Sequence, residues 1–319
     1  MPRQTTPPKT IGRIELFDID LREIAPFIDW TFFFLAWRIT GKFKGIENIC
    51  DCASCEATWL RQFTDDDKEK AVEALRLFRD GQAMLRRITA EKTVYINAVV
   101  AIYPAHSKGE DIVIESPERH IVLPMLRQQS PSSDGYCYSL ADFLSEKDDF
   151  IGAFACTVIG VEEEAKVFDE NDDTYHSLLI KSLGDRLAEA TAEWLHCRVR
   201  TDYWGYSTDE LPTNGKSPKA YFDGIRPAVG YPSLPDQSLI FALDELLNYK
   251  KTGIQLTENG AMYPSASVSG LYFAHPKAKY FIIGKIDDEQ LNDYARRRGK
   301  TMEEMKKWLG ANLLNEQTK

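Results

Sequence analysis

Three thiols stand close together in the chain as Cys50, Cys52 and Cys55, in the pattern C-x-C-x-x-C. Thiolates bind zinc and iron well, but a tetrahedral site takes four donors, usually two cysteine pairs or a mixed Cys/His set. A fourth would have to come from Cys137, Cys156, Cys197 or one of the five histidines. The count therefore reads first as reduced thiols with no bound metal, a metal-dependent redox role being the alternative. The densest concentrations of aromatic, Gly and Pro residues lie elsewhere, in Tyr203-Trp-Gly-Tyr206 and in the run from Arg226 to Pro235. Irregular segments of this kind line ligand sites when a rigid scaffold holds them, and a merely well-packed loop has the same composition. No G-x-G-x-x-G turn, P-loop, G-x-S-x-G or H-E-x-x-H motif is present, so no dinucleotide fold, common methyltransferase sheet or familiar hydrolase site is indicated.

Periodicity shows which elements must hold these segments. Residues 1–10 are polar, Pro-rich and linker-like, and a short strand follows within 11–19. Asp29 stands before the aromatic run 30–37, where a short carboxylate can cap the first turn of a helix, and Gly41 would end that helix. Apolar residues at i, i+3, i+4 spacing predict a helix over 65–90 and a longer one over 173–200. Strands are predicted at 94–103, 112–114, 120–123 and 150–158, and segments 262–273 and 279–285 read as a strand pair around His275-Pro276. Residues 207–217 form a polar surface connection. Helices close the chain at 239–250, 288–298 and 301–309, with Thr301 and Glu304 spaced as a capping box. Strands and helices come in mixed runs rather than strict alternation, which favours an α+β fold with an antiparallel or mixed sheet flanked by helices.

The 319 residues are 43% hydrophobic and 28% charged, enough apolar material for a core, and residues 11–319 read as a single domain. A net charge of −10 lacks the basic stripe of a nucleic-acid binder. No apolar run approaches the roughly 20 residues a membrane span needs, and residues 1–9 contain no signal-peptide core. A cytoplasmic protein with reduced cysteines is the expectation.

A more specific reading comes from several blocks that stand in one order along nearly the whole chain. They include Ile28-Asp-Trp-Thr-Phe-Phe33, Asp149-Phe-Ile-Gly-Ala-Phe-Ala155, Asp185-Arg-Leu-Ala-Glu-Ala190 and Ala192-Glu-Trp-Leu-His196. Gly224-Ile-Arg-Pro-Ala-Val-Gly-Tyr-Pro232, Ala266-Ser-Val-Ser-Gly270, His275-Pro276 and Asp293-Tyr-Ala-Arg-Arg297 continue the series. Together they resemble the S-adenosylmethionine-binding activation domain of cobalamin-dependent methionine synthase. The resemblance implies a C-shaped α+β domain with S-adenosylmethionine in a shallow groove. It also implies a part of a methyltransferase that restores oxidised cobalamin. A flavodoxin-type partner supplies one electron to cob(II)alamin, and S-adenosylmethionine then methylates the cobalt, the protein mainly aligning the two reactants.

Carried onto this chain, the resemblance assigns Asp29 to the ligand ammonium and Arg226 to its carboxylate, a task suited to a bidentate fork. Ala228 would offer backbone groups, and Tyr280 and Phe281 would flank the adenosine. Glu189 matches a position near the ligand, and Tyr231 would lie between S-adenosylmethionine and the incoming corrin. Phe32 replaces a usual Pro, Gln237 a usual His, and Ala220 a frequent Glu; a segment around 43–65, with the three thiols, looks inserted. Motifs for the cobalamin, homocysteine and folate domains are missing from the sequence, so the cobalamin would be held by a partner domain or subunit. A module that senses S-adenosylmethionine and gates domain arrangement without turnover is the alternative, favoured slightly by Gln237.

Overall fold

The computed structural model describes residues 5–50, 52–207 and 223–314. Its strands are β1 (Gly12–Leu16), β2 (Tyr95–Lys108), β3 (Asp111–Glu115), β4 (His120–Pro124) and β5 (Asp149–Ile159), followed by β6 (Gln255–Leu256), β7 (Met262–Tyr263) and β8 (Ser267–Tyr272). The main sheet has six strands in the order β4-β3-β2-β5-β8, with β1 also paired to β2, while β6 and β7 form a separate small hairpin. Every ladder is antiparallel. One edge of β2 serves two partners in turn, β1 along Ala98 to Ile102 and β3 along Ala105 to Lys108, while its other edge carries β5.

Strict alternation in the two central strands builds a core on each face of the sheet. Ile96, Ala98, Val100 and Ile102 of β2 join Phe154, Cys156 and Val158 of β5 in one cluster. Val99, Ala101 and Tyr103 join Ile151, Ala153 and Ala155 in the other. The first cluster is covered by α1 (Leu21–Ile24), α2 (Trp30–Ala36), α3 (Ala53–Leu60), α4 (Asp65–Glu91), α5 (Val161–Glu170) and α6 (Thr174–Arg198). The second is covered by α7 (Leu239–Leu247), α8 (Tyr249–Thr252), α9 (Asp288–Arg298) and α10 (Met302–Leu309). The protein is thus α+β, with an antiparallel sheet between helical layers. Among the described residues no helix is long and apolar enough to cross a membrane.

Local signals account for several boundaries. Asp29 caps α2, its Oδ1 accepting from the Thr31 N–H at 3.0 Å. Thr301 and Glu304 form the capping box of α10, each side chain bonded to the other's backbone N–H. Four expectations need correction. Helix α2 ends at Ala36, well before Gly41. Arg38 makes the left-handed turn at φ 61, with Arg38 N–H bonded to Leu35 O and Ile39 N–H to Phe34 O. Helix α5 is missing from the sequence reading, because its first turn is Glu162, Glu163 and Glu164 and only Val161 and Ala165 are buried. The helix expected over 173–200 stays α-helical to Arg198 and continues as a π-helical turn, Val199–Tyr203.

The fourth concerns the expected pair of segments 262–273 and 279–285. Strand β8 pairs with β5 instead. Residues 279–285 are outside any strand, with Gly284 at a left-handed φ of 74°, the Ile283 N–H bonded to Pro232 O and Gln128 Nε2 to Ile282 O. Their alternation is real, Tyr280 and Ile282 being exposed and Phe281 and Ile283 buried. Alternation reveals which side chains go inside, not which backbone lies alongside. The connection expected at 207–217 lies, after Ser207, outside the described residues, as does Ala220.

Candidate functional site

Glu189, Glu193, His196 and Arg200 follow one another on α6 and its π-helical extension at i, i+4, i+7 and i+11, a spacing that places them along one face. The loop from Gly224 to Leu234 crosses this face. Its first part runs beside β8 like an added strand: Ile225 and Phe273 exchange backbone bonds, Leu271 N–H reaches Pro227 O, and Val229 N–H reaches Ser269 O. This registration fixes Arg226. Its Nε and Nη2 donate to Glu193 Oε2 at 3.3 and 3.2 Å, and Nη2 lies 3.5 Å from Glu189 Oε2. Burial lowers the Arg226 pKa, but the Glu193 and Glu189 carboxylates outweigh it and the net shift is upward, so the guanidinium stays charged. Tyr231 donates its hydroxyl to Glu189 Oε1 at 3.1 Å.

Two cavities meet at this cluster. The larger, about 1440 Å³, reaches from Asp29, Phe32 and Phe43 to Arg186. The smaller, about 520 Å³, extends to Tyr280 and Phe281, with His196 and Arg200 in its lining. Glu189, Glu193, Arg226 and Tyr231 line both, so the two are halves of one groove. A groove of this size accommodates an elongated small molecule, with acidic and basic groups concentrated at its middle.

All seven residues singled out from the sequence border this groove, though not in the same way. Asp29 lines the larger cavity; Ala228, on the loop itself, is buried, with its backbone bridged to Gly270. Tyr280 is 60% exposed, and its hydroxyl accepts from the Arg226 N–H at 3.0 Å. Phe281 is buried, and its ring packs against Tyr138 and Phe143. Tyr280, not Phe281, therefore presents an open aromatic face. Gln237 donates from Nε2 to Gly260 O at 2.8 Å, a neutral bracket between two loops. Phe32, in the larger cavity's wall, lies under the Arg186 guanidinium, 6.0 Å from its ring centroid.

Glu193, His196 and Arg200 have no assigned role in the sequence reading, yet they complete the site; their i, i+4, i+7, i+11 spacing with Glu189 is the signal that reveals them. Arg200 can only donate, so its Nη1, 3.3 Å from His196 Nδ1, makes that nitrogen the acceptor. The ring proton of a neutral His196 then sits on Nε2, 3.2 Å from Tyr206 Oη, while the ring stacks on Tyr272. Burial pushes the His196 pKa well below its usual value, and the nearby Arg200 and Arg226 push it the same way.

A histidine held neutral in the native state charges more readily once unfolded. Its contribution to stability is therefore complete above about pH 6.5 and declines as pH falls below that value, by at most about 1.4 kcal/mol per pH unit. Asp20 and Asp134, whose carboxyls are lowered to about 2 by Arg22 and Lys279 respectively, lose their contributions only below about pH 4. Urea unfolding at pH 7.5, 6.5 and 5.5 should show declining stability, and His196→Gln should flatten the slope in that window. Equal slopes in the two proteins would mean that His196 does not carry the effect.

The groove can be set beside known proteins. A family model described as "Vitamin B12 dependent methionine synthase, activation domain" matches residues 20–299. A solved structure described as "Crystal Structure of the MetH Reactivation Domain bound to AdoHcy" superposes with a TM-score of 0.86 at 38% sequence identity. That match covers 98% of this chain and 94% of the other.

Proposed function

The chain belongs to the activation-domain family of vitamin B12 dependent methionine synthase, and we propose that it binds S-adenosylmethionine along the groove from Asp29 to Tyr280. In this reading it presents the methyl donor to a cobalamin held by a partner domain or subunit. The observation that carries the proposal is the placement of Arg226, Glu189, Glu193 and Tyr231 where the two cavities meet. The ligand has one carboxylate, one ammonium and one sulfonium, hence a net positive charge. Glu189 and Glu193 set two carboxylates around Arg226 where the cavities meet, groups that complement the ammonium and the sulfonium. The crystal structure of the similar reactivation domain holds S-adenosylhomocysteine, the demethylated form of the same molecule.

Each residue then has a task suited to its chemistry. Arg226 pairs with the carboxylate, and Asp29 meets the ammonium through Oδ2 while Oδ1 keeps the helix cap. The exposed ring of Tyr280 stacks against the adenine, while Ala228 and the loop backbone supply hydrogen bonds to the ligand. Tyr231, tethered to Glu189, stands at the open side where a corrin would approach. The chemistry is a reductive methylation of cob(II)alamin: one electron enters from a flavodoxin-type donor, the methyl–sulfonium bond breaks, a cobalt–carbon bond forms and S-adenosylhomocysteine leaves. No proton moves in that balance, which fits a groove built for charge pairing and alignment.

Calorimetric titration with S-adenosylmethionine tests the ligand, and Asp29→Asn should weaken binding about tenfold, the loss of one charge-assisted contact. Absence of saturable binding at millimolar ligand would remove the assignment. The second test adds a cob(II)alamin-loaded cobalamin domain and a reductant, with the visible spectrum reporting methylation. The neutral Gln237 bracket favours a second reading, a sensing or gating module without turnover. Binding without methylation would select it.

A further inference from the structure

We propose that Cys50, Cys52 and Cys55 form a site for a single thiophilic metal ion, zinc in the first instance, with a fourth position open to water or an incoming donor. Spacing alone suggests reduced thiols and no metal; placement in three dimensions changes that expectation. Free cysteines are usually among the most buried side chains, as Cys156 and Cys197 are, yet these three are exposed. Their Sγ atoms nevertheless converge, all within 4.8 Å of one another, with Cys50 and Cys52 3.0 Å apart. Exposed thiols gain no apolar burial by such convergence.

A shared ion does explain it. Thiolates bound to one zinc at about 2.3 Å are separated by a tetrahedral edge of roughly 3.8 Å, which lies between the 3.0 Å separating Cys50 from Cys52 and the 4.8 Å within which all three sulfurs fall. In a 4Fe–4S cluster each cysteine binds a different iron and in a 2Fe–2S cluster at most two share one, so three mutually convergent sulfurs fit a mononuclear site. The local backbone favours thiolates. Cys52 is the N-cap of α3 and accepts from the Cys55 N–H at 3.3 Å, and Ser54 Oγ lies 3.2 Å from Cys52 Sγ. Backbone donors and the helix N-terminus both stabilise negative sulfur. Among the described residues the convergent group includes no fourth His, Cys, Asp or Glu donor, hence the open position.

The site also has something to hold. Trp59 of α3 is buried and donates Nε1 to Lys44 O at 2.9 Å, and Phe63 packs on both Trp59 and Phe43. Phe43 meets Phe34 of α2, and Phe43 and its neighbours up to Glu47 wall the larger cavity. A metal joining Cys50 to the first turn of α3 would close the end of this segment and steady that wall.

The test uses the whole chain, purified without chelator, reduced and handled under nitrogen. Elemental analysis is expected to find one zinc per chain, and zinc titration of the metal-free protein against a chromophoric chelator should give sub-micromolar affinity. Cobalt(II) in place of zinc should give thiolate-to-cobalt charge-transfer absorption and tetrahedral d–d bands. The Cys50→Ser, Cys52→Ser, Cys55→Ser triple variant should lose both with an unchanged far-UV circular dichroism spectrum. Failure of the reduced, folded parent chain to take up micromolar zinc would overturn the proposal. Iron with acid-labile sulfide would overturn it in favour of a cluster, and equal uptake by the triple variant would place any metal elsewhere.

Discussion

Arg226→Ala is expected to weaken S-adenosylmethionine binding by about 30- to 700-fold, equivalent to roughly 2–4 kcal/mol. The size follows from burial and geometry. The Arg226 side chain is 15% exposed and its guanidinium faces two carboxylates, so a ligand carboxylate that replaces water there forms a charge-assisted, forked contact shielded from solvent. Alanine removes the guanidinium that faces Glu189 and Glu193 and would meet the carboxylate. It also removes the cation that faces both Glu189 and Glu193, one helical turn apart, and their repulsion of the carboxylate adds to the loss.

That second consequence is expected to lower stability as well as affinity, and two further variants separate the effects. Arg226→Lys keeps the positive charge but not the planar fork; it should retain most of the stability and recover only part of the affinity. Arg226→Ala combined with Glu193→Gln removes one of the two carboxylates that faced the guanidinium, so it should restore the unfolding midpoint while binding stays weak. Calorimetry and urea unfolding of the three proteins give the comparison. If affinity recovers in step with stability in the double variant, Arg226 organises the groove and does not bind the ligand.

Residues that act through their own neighbours in sequence are the legible ones. Asp29 shows its cap because the helix it starts follows immediately, and Thr301 with Glu304 does the same for α10. The two long helices show because apolar periodicity accumulates over 25 and 27 residues. Helix α5, with 10 residues and two buried positions, offers too little pattern to separate from a loop. Arg226, Ala228, Tyr231 and Tyr280 are legible through the resemblance, since nothing in their local spacing announces a ligand. Glu193 and His196 fall within a matching block, but their part in the site depends on which helix face meets the loop, a tertiary fact. The same limit explains the misplaced strand pair. Segments 262–273 and 279–285 both alternate, and only the packing of the Gly224–Leu234 loop against β8 shows that a third piece of chain lies beside that strand.

That packing rests on Gly270, and Gly270→Ala is expected to reduce both stability and ligand affinity. A Cβ at this position would stand 2.3 Å from Pro227 O and 2.8 Å from Ala228 Cα, both backbone atoms, and 3.0 Å from the Phe154 ring. Pro227 O cannot retreat without losing the Leu271 N–H, and Ala228 is bridged to Gly270 itself. Phe154 is buried in the core of the sheet, so it has no room to yield. The loop must therefore move off β8 and carry Arg226 away from Glu193. Overpacking of this kind costs about 1–3 kcal/mol of stability, and a displacement near 1 Å at the arginine should weaken binding at least about tenfold. Gly310→Ala is the matched control, because a Cβ there meets nothing within 4 Å. Urea unfolding measures the first effect and calorimetry the second. A Gly270→Ala protein that loses stability but binds S-adenosylmethionine normally would show that the ligand does not depend on how this loop lies against β8. If both quantities fall together, the close backbone approach that only glycine permits is what sets the position of Arg226.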